Sequence, residues 1–473
     1  MAAGGGGYDG LQRMPPLGAP LADSKFTLNS AGVAGFFGGK EAISAMATVH
    51  LYEGRRWLGW FNSPGSYTIA KRFGRMANSR FWDGLFPGPK NSPAVSFGLD
   101  GKKGPKYIAA LSGTTMHTRH LAYLTMERSK AGKAKKVEGR VTSPVDVTYL
   151  AMKHVNYDAT VKRLPLKSAL LGFFPITVSV VTCIMCALVH DWYSFSMILI
   201  GIISSGWASL VIGKGKLVIK SVKNPASGVP PGHGILMGED GVVVIKGKER
   251  DVNAITKGRF DLETDSKEGD EEKGAVRNYH AIGVCSLLLV VQFLLQLLLI
   301  PQGSLFGQIM FLVSLGVSWG YNSYLSSLEK ERIQTDILFQ TLGIPDSEIL
   351  RFRTGTRTTM AVFVCLLLFH GVEPSSPEED SARRFRILHS CLSNDTAVWK
   401  RWREKVIQQL LNVDNKSESL PYLVENEQDR ALPEEDRNLL KQLLEDARMA
   451  FNEYLIVCDI LPDDSSHQEV EGQ

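Results

Sequence analysis

The chain has 473 residues, of which 44% are hydrophobic, and a formal net charge of +4. Residues 1–167 carry 24 basic and 10 acidic residues, residues 168–370 carry 17 of each, and residues 371–473 carry 12 basic and 22 acidic, so the net charges are +14, 0 and −10. Six cysteines do not make a disulfide framework in so long a chain, and the dispersed basic residues without interleaved aromatic rings do not favour nucleic-acid binding.

The N-terminal third is basic and rich in glycine and proline, and its start lacks the apolar core of a secretory signal peptide. We expect residues 1–24 to be disordered and residues 25–167 to form a partly ordered cytosolic region. The basic run Arg128–Arg140 suits a solvated loop near an anionic membrane surface better than a nucleic-acid site. His117 and His120 have the spacing of a metal pair, but no third ligand stands out, so no metal site is predicted.

Four apolar segments predict transmembrane helices: Ser168–Val189, Tyr193–Ile212, His280–Ile300 and Leu305–Leu325. Each has about 20 residues, the length that a helix needs to cross a hydrocarbon core of about 30 Å. None contains Asp, Glu, Lys or Arg. A water-soluble helix of this length would show a polar stripe, so the pattern favours a membrane protein.

The linkers between these segments predict how they are threaded. Only "HDW" separates the first two and "PQGS" the last two, so each pair forms an antiparallel hairpin. Neither linker has a basic residue, whereas the other flanks carry Lys162, Arg163, Lys167, Lys214, Lys216, Lys220, Lys223, Lys273, Arg277, Lys330 and Arg332. The positive-inside bias then places both termini and the central loop in the cytosol.

Small and polar residues inside the spans are candidates for helix contacts. Gly201, Ser205 and Ser209 share one face of the second span, and Gly316 and Gly320 lie in the fourth; such spacings let backbones approach closely. The amides of Gln292, Gln296 and Gln308 need partners in hydrocarbon, so we expect hydrogen bonds between helices, with a polar substrate path as the alternative. Cys183 and Cys186 form a C-x-x-C within an apolar run, which indicates membrane-helix packing rather than redox or zinc chemistry.

The central loop predicts a compact ββαβ-like module. "KLVIKSV" is typical of a strand, and "GILMGEDGVVVIKG" of a hairpin that turns at Asp240-Gly241. "DVNAITKGRFDLE" predicts a short helix followed by a strand over Arg259–Glu263. The glycines depart from the dinucleotide fingerprint and no G-K-[ST] follows, so we expect no nucleotide, and no other cofactor. His233 has no ligand partner at metal spacing, and Glu239 is expected to form part of the turn.

The segment "GILMGEDGVVVIKGKERDVNAITKGRF" resembles multi-pass membrane proteins of unassigned function from mushroom-type fungi, over about residues 160–370 of this chain. The resemblance implies a membrane protein and no particular activity.

A fifth apolar run, Thr358–Gly371, is short for a span and suits an interfacial, re-entrant or buried helix. A fifth crossing would move the C-terminal tail to the other side of the membrane, where the acceptor patterns at Asn394 and Asn415 could be glycosylated. We favour four spans and a cytosolic tail.

The acidic tail predicts two long helices. One follows Asn394-Asp395 and carries Trp399, Trp402, Val406, Leu410 and Val413 at helical spacing, with Lys400, Arg401, Arg403 and Lys405 on other faces; it suits either a membrane surface or its neighbouring helices. The other begins near Pro433 and has one apolar face, formed by Leu440, Leu443, Leu444, Ala447, Phe451 and Tyr454. That face must bury against the rest of the tail, a protein partner or a second copy of the chain.

Together these patterns predict an α-helical polytopic membrane protein with two transmembrane helical hairpins, a small α+β cytosolic module between them and a helical C-terminal region. The expected domains are residues 1–24, 25–167, 168–212, 213–264, 265–279 (a polar linker), 280–325, 326–371 (a helical extension) and 372–473. The bilayer is the expected partner. A non-enzymatic scaffold is the favoured function, and a transporter or channel for a small or lipidic solute is the alternative. A membrane-associated enzyme comes third, because no nucleophile–base pair or paired carboxylates stand out.

Overall fold

A computed structural model describes residues 20–21, 37–77, 79–153, 155, 162–163, 165–222, 226–264, 271–373, 375–412 and 421–461. The chain divides into two compact units. We call them the helical unit (Met1–Leu99, Val161–Leu217, Leu262–Lys330) and the sheet unit (Asp100–Thr160, Val218–Asp261, Glu331–Gln473). Each unit is therefore assembled from three separate parts of the sequence.

The helices are α1 (Gly39–Ala47), α2 (Ser66–Gly74), α3 (Arg80–Leu85), α4 (Pro93–Ser96), α5 (His120–Lys130), α6 (Leu166–Leu188), α7 (Trp192–Ile212), α8 (Glu249–Thr256), α9 (Glu271–Leu299), α10 (Leu305–Ser326), α11 (Lys330–Leu342), α12 (Arg357–Phe369), α13 (Pro377–Cys391), α14 (Ala397–Asn412) and α15 (Glu434–Val457). The strands are β1 (Tyr52–Glu53), β2 (Lys106–Ala109), β3 (Thr115–His117), β4 (Lys135–Lys136), β5 (Val145–Ala151), β6 (Lys162–Arg163), β7 (Gly215–Lys220), β8 (Gly234–Met237), β9 (Gly241–Lys246), β10 (Arg259–Thr264) and β11 (Leu350–Thr354).

Three helices are long and apolar enough to cross a membrane: Ser168–Leu188 in α6, Trp192–Ile212 in α7, and a segment that begins at His280 in α9. The fourth predicted span forms the single helix α10, as expected, but it is not among these three. Its buried face carries Gln308, Ser314, Ser318 and Asn322, and these polar side chains lower its hydropathy. A clear four-span arrangement is therefore not established by length and composition.

The sheet unit is built on a seven-stranded mixed sheet with the order β3-β2-β8-β9-β5-β11-β4. The predicted hairpin is present as β8 and β9, which pair antiparallel, and β9 also pairs in parallel with β5. Val242 to Lys246 are all buried, as expected of a central strand that is covered on both faces. The central loop is thus not a module of its own, because its hairpin lies in the middle of a sheet that other chain segments complete.

The short apolar run forms α12, which belongs to the core of the sheet unit. Every residue from Thr358 to Phe369 is buried, and the ring of Phe363 packs edge-on against Phe352 of β11 at 5.0 Å between centroids. The run is apolar all round because it is covered by the sheet on one side and by α15 on the other. Of the three alternatives left open by the sequence, the buried helix is the correct one.

Other predicted boundaries shift for the same reason. The basic region over residues 25–167 divides near residue 99 between the two units, and the predicted helical extension contains the strand β11. Residues 271–279 of the predicted linker belong to the backbone of α9, and residues 265–270 lie outside the described part of the chain. Strand pairing with distant segments decides these boundaries, and local sequence carries little of that information.

The tail helices pack on each other and on α12. Trp402 is fully buried and donates its indole N–H to the Leu443 carbonyl at 3.0 Å, so α14 packs on its neighbours rather than on a membrane surface. Arg403 and Lys405 are also buried and are paired with Asp395 and Asp429 respectively. The predicted apolar face of α15 is confirmed, and it is buried within the chain.

Candidate functional site

The predicted small-residue face of α7 is a close-packing surface in the helical unit. A Cβ atom added to Gly201 would lie 2.0 Å from Asn62 Oδ1, and one added to Gly59 would lie 2.2 Å from Ser209 Cβ. The face therefore packs against the segment over residues 59–62 at these two points. Gly201 is a point of close approach, and its partner comes from the region before the spans.

Gly316 and Gly320 do not act in this way. A Cβ atom added to either glycine of α10 would meet nothing within 4 Å, and both residues are exposed. Within the described part of the chain neither glycine is a point of close helix contact, because glycines four residues apart permit close packing without enforcing it.

The three predicted glutamines are all buried, but their amides differ in their partners. Gln296 Nε2 donates to the Met197 carbonyl of α7 at 3.4 Å, and Gln308 Nε2 donates to the Gly303 carbonyl at 3.1 Å. Neither amide atom of Gln292 has a hydrogen-bond partner among the described residues. Hydrogen bonding between helices thus accounts for Gln296, and a local bond accounts for Gln308.

A polar link joins the tips of the two helical hairpins, and the sequence did not predict it. Asp191 is buried and caps α7 by accepting bonds from the N–H and the hydroxyl of Ser194, both at 3.1 Å. Its Oδ2 also accepts bonds from the N–H and the hydroxyl of Ser304, at 2.8 and 2.6 Å. Because Ser304 caps α10, one carboxyl group ties both linkers together.

A buried arginine lies at the centre of the helical unit. Arg55 opens the short 3₁₀ turn Arg55–Leu58 and is only 4% exposed. Its guanidinium lies over the Tyr321 ring, 5.3 Å from the centroid, and burial lowers its pKa from the ordinary value. Nε and Nη1 have no hydrogen-bond partner among the described residues. Burying a cation without a carboxylate partner costs free energy, so the burial of Arg55 needs an explanation.

Arg55 lines a small cavity of about 20 Å³, which has room for about one water molecule. The other polar residues of its wall are Ser63, Ser205, Ser209 and Asn322, and no Asp or Glu of the described residues lines it. Asn322 Nδ2 donates to Ser63 Oγ at 3.2 Å, which holds the amide in place. Nearby, the Asn62 N–H donates to Ser179 Oγ, which in turn contacts Ser314 Oγ at 3.2 Å. The cavity offers one cationic group and several hydroxyls.

The remaining candidates do not assemble into a reactive centre. His117 is exposed on β3 whereas His120 is buried at the start of α5, so the proposed pair does not converge. His233 Nδ1 accepts the Gly247 N–H at 3.1 Å, across the open end of the β8–β9 hairpin. Cys183 and Cys186 are free thiols in an apolar cluster. Within the described ranges, no group of three or more His, Cys, Asp or Glu side chains is placed to hold a metal ion.

Comparison with known proteins adds no family. No protein-family model matches the chain, and neither a curated protein nor a solved structure matches it. The resemblance of the central loop to fungal membrane proteins therefore stays a prediction. The polar cavity around Arg55 is the candidate site that the structure itself provides.

Sequence reasoning missed Arg55, although one signal was present. "YEGRRWLGWF" places two arginines beside a Trp-rich apolar run, and such a run is itself apt to be buried. The spacing does not tell which of the two arginines is enclosed, because this depends on the packing of the segment against α7 and α10.

Proposed function

We propose that the protein is a multi-pass membrane protein that holds a folded α/β unit at one face of a bilayer and acts as a scaffold there. The observation that carries the proposal is the origin of the strands. β2 to β5 precede the first apolar helix, β8 and β9 lie between the second and third, and β11 follows α10, yet all belong to one sheet. A sheet cannot be divided by a bilayer, so these three segments share one side.

This constraint supports four crossings. The chain must cross an even number of times between β5 and β8, which α6 and α7 satisfy, and again between β9 and β11. If α9 crosses the membrane, α10 must return the chain despite its lower hydropathy. The bond network of Asp191 and Ser304, which holds both hairpin tips together, agrees with this threading.

The surface of the helical unit supports the membrane location. Large apolar side chains are exposed along α6 and α9: Leu170, Leu171, Phe173, Phe174, Val180, Val181, Ile184, Met185, Leu188, Val284, Leu287, Val291, Leu294, Leu297 and Leu298. Polar residues of the same helices, including Ser179, Thr182 and Gln292, are buried. An apolar exterior over a polar interior is unfavourable in water and suits lipid. The basic flanks then favour a cytosolic sheet unit.

A scaffold function predicts a protein that binds the sheet unit. Three of its exposed apolar side chains, Leu455, Ile456 and Ile460, lie within six residues at the end of α15, with exposed fractions of 54, 61 and 68%. We expect a stoichiometric partner to co-purify after cross-linking in native membranes, and we expect Ile456→Glu to weaken its retention. Leu439→Glu, at the other end of the same helix, is the matched control. A solubilised protein that is always a lone monomer would argue against the scaffold.

A transporter or channel is the second candidate, and one observation favours it. Gln292 is 1% exposed and lies within a membrane-length helix, and its amide has no partner in the described part of the chain. A buried polar group of this kind can mark a solute path. Solute flux in proteoliposomes that falls in Gln292→Leu would support this candidate, and unchanged flux would exclude a path at this glutamine.

A further inference from the structure

We propose that the cavity beside Arg55 binds a single halide ion, chloride under ordinary conditions, as the counter-ion of the buried guanidinium. This inference goes beyond a scaffold, since it assigns a ligand to the helical unit.

The side chain of Arg55 is charged. An arginine side chain remains protonated in proteins even when burial lowers its pKa, so Arg55 carries a positive charge in the interior. The face of the Tyr321 ring offsets part of this charge, but a ring face gives no in-plane acceptor for Nε and Nη1. Among the described residues, no carboxylate contributes to the electrostatic surroundings of Arg55. No carboxylate of the described residues compensates this charge, and a bound anion would do so.

The wall of the cavity contains hydrogen-bonding residues. Arg55 shares the lining of the cavity with Ser205 and Ser209 from α7 and with Asn322 from α10. These residue types carry N–H and O–H donors, which an anion accepts, and no acidic residue of the described chain lines the cavity. A bound water could satisfy one or two donors, but it would leave the positive charge uncompensated.

The cavity is small. About 20 Å³ accommodates one water-sized species. A halide ion is only slightly larger than a water molecule, whereas a carboxylate or phosphate group has several heavy atoms and needs a larger volume. Phe61, Met46 and Val49 complete the wall and keep the remaining surface apolar, so a polyatomic anion would also lose hydration without new partners.

The test is the thermal unfolding of the full-length protein in detergent micelles, at constant sodium concentration, with gluconate replaced stepwise by chloride or bromide. Since a ligand that binds only the folded state raises the midpoint temperature, we expect a saturating rise in both halides and none in gluconate. Arg55→Gln should abolish the rise. Arg56→Gln removes the same charge next to it, at a side chain over the Trp57 ring that does not line the cavity, and should retain the rise.

Ser209→Ala is a second variant, for the case that Arg55→Gln does not fold. It keeps the buried charge and the Cβ atom that contacts Gly59. Losing one donor should weaken the apparent halide affinity by about three- to tenfold. Chloride-35 NMR line broadening on the same samples gives a readout independent of stability, with broadening in the wild type and in Arg56→Gln. Equal stability in chloride and gluconate, or the same halide response in Ser209→Ala as in the wild type, would overturn the proposal.

Discussion

Replacing Asp191 with alanine should destabilise the helical unit strongly, because this one carboxyl group accepts four hydrogen bonds, two from the first turn of α7 and two from the linker of the second hairpin. Two donors belong to Ser194 and two to Ser304, at 2.6–3.1 Å. Hydrogen bonds to charged groups contribute about 1.5–3 kcal/mol each. The two hydroxyls can turn to other acceptors, whereas the two backbone N–H groups cannot, so we expect a loss of about 3–5 kcal/mol.

The assay is the unfolding midpoint of the purified protein in micelles, followed by tryptophan fluorescence. For a unit of this size, 1 kcal/mol corresponds to about 2–4 °C, so Asp191→Ala should lower the midpoint by roughly 6–20 °C. Asp191→Asn keeps an acceptor oxygen and should lose less. A double-mutant cycle with Ser304→Ala should give a coupling of about 0.5–3 kcal/mol. If the two substitutions add without coupling, the carboxyl group does not tie the hairpin tips together.

Three further predictions concern other buried groups. Phe363→Ala should cost the sheet unit about 3–5 kcal/mol by denaturant unfolding, and Phe385→Ala, at a side chain 45% exposed, should cost far less; equal losses would contradict the burial of α12. Gln292→Leu should leave the unfolding midpoint unchanged or raise it, because it removes unpaired polar atoms. Gln296→Leu should cost about 1 kcal/mol of stability, because it removes a hydrogen bond. A large loss of stability in Gln292→Leu would point to a hydrogen-bond partner that is not recognised. His50 Nδ1–H donates to the Gly215 carbonyl at 2.9 Å, and burial lowers the pKa of this histidine from 6.5 to about 4. The unfolded chain therefore takes up a proton first, and stability should fall by about 3 kcal/mol from pH 6.5 to pH 4, a slope that His50→Asn should reduce.

The sequence predicted the elements whose evidence is local. Four apolar runs became the helices α6, α7, α9 and α10, and the predicted hairpin formed as β8 and β9, with its turn at Glu239-Asp240 and Gly241 already in β9. The apolar stripe of α15 was also readable, because a helical period of 3.6 places its residues on one face.

What escaped prediction depends on contacts between distant parts of the chain. β9 also pairs with β5, and β5 in turn pairs with β11, some 200 residues later in the sequence. The burial of Arg403 and Lys405 was not predicted, because nothing local indicates that Asp395 and Asp429 will pair with them. The burial of Arg55 likewise depends on packing against α7 and α10, and the residues next to Arg55 in the sequence do not indicate this packing.

Impermeant-reagent labelling of single cysteines tests the shared side of the three sheet segments most directly. Exposed positions in each segment are Lys103, Ser227 and Ser393, and Gln302 is exposed at the tip of the second hairpin. Each is replaced by cysteine in full-length protein whose two half-buried native cysteines are serine, in sealed vesicles of known sidedness. The three sheet-unit positions should react together from one side and Gln302 only from the other. Labelling of any of the three from the side of Gln302 would contradict it.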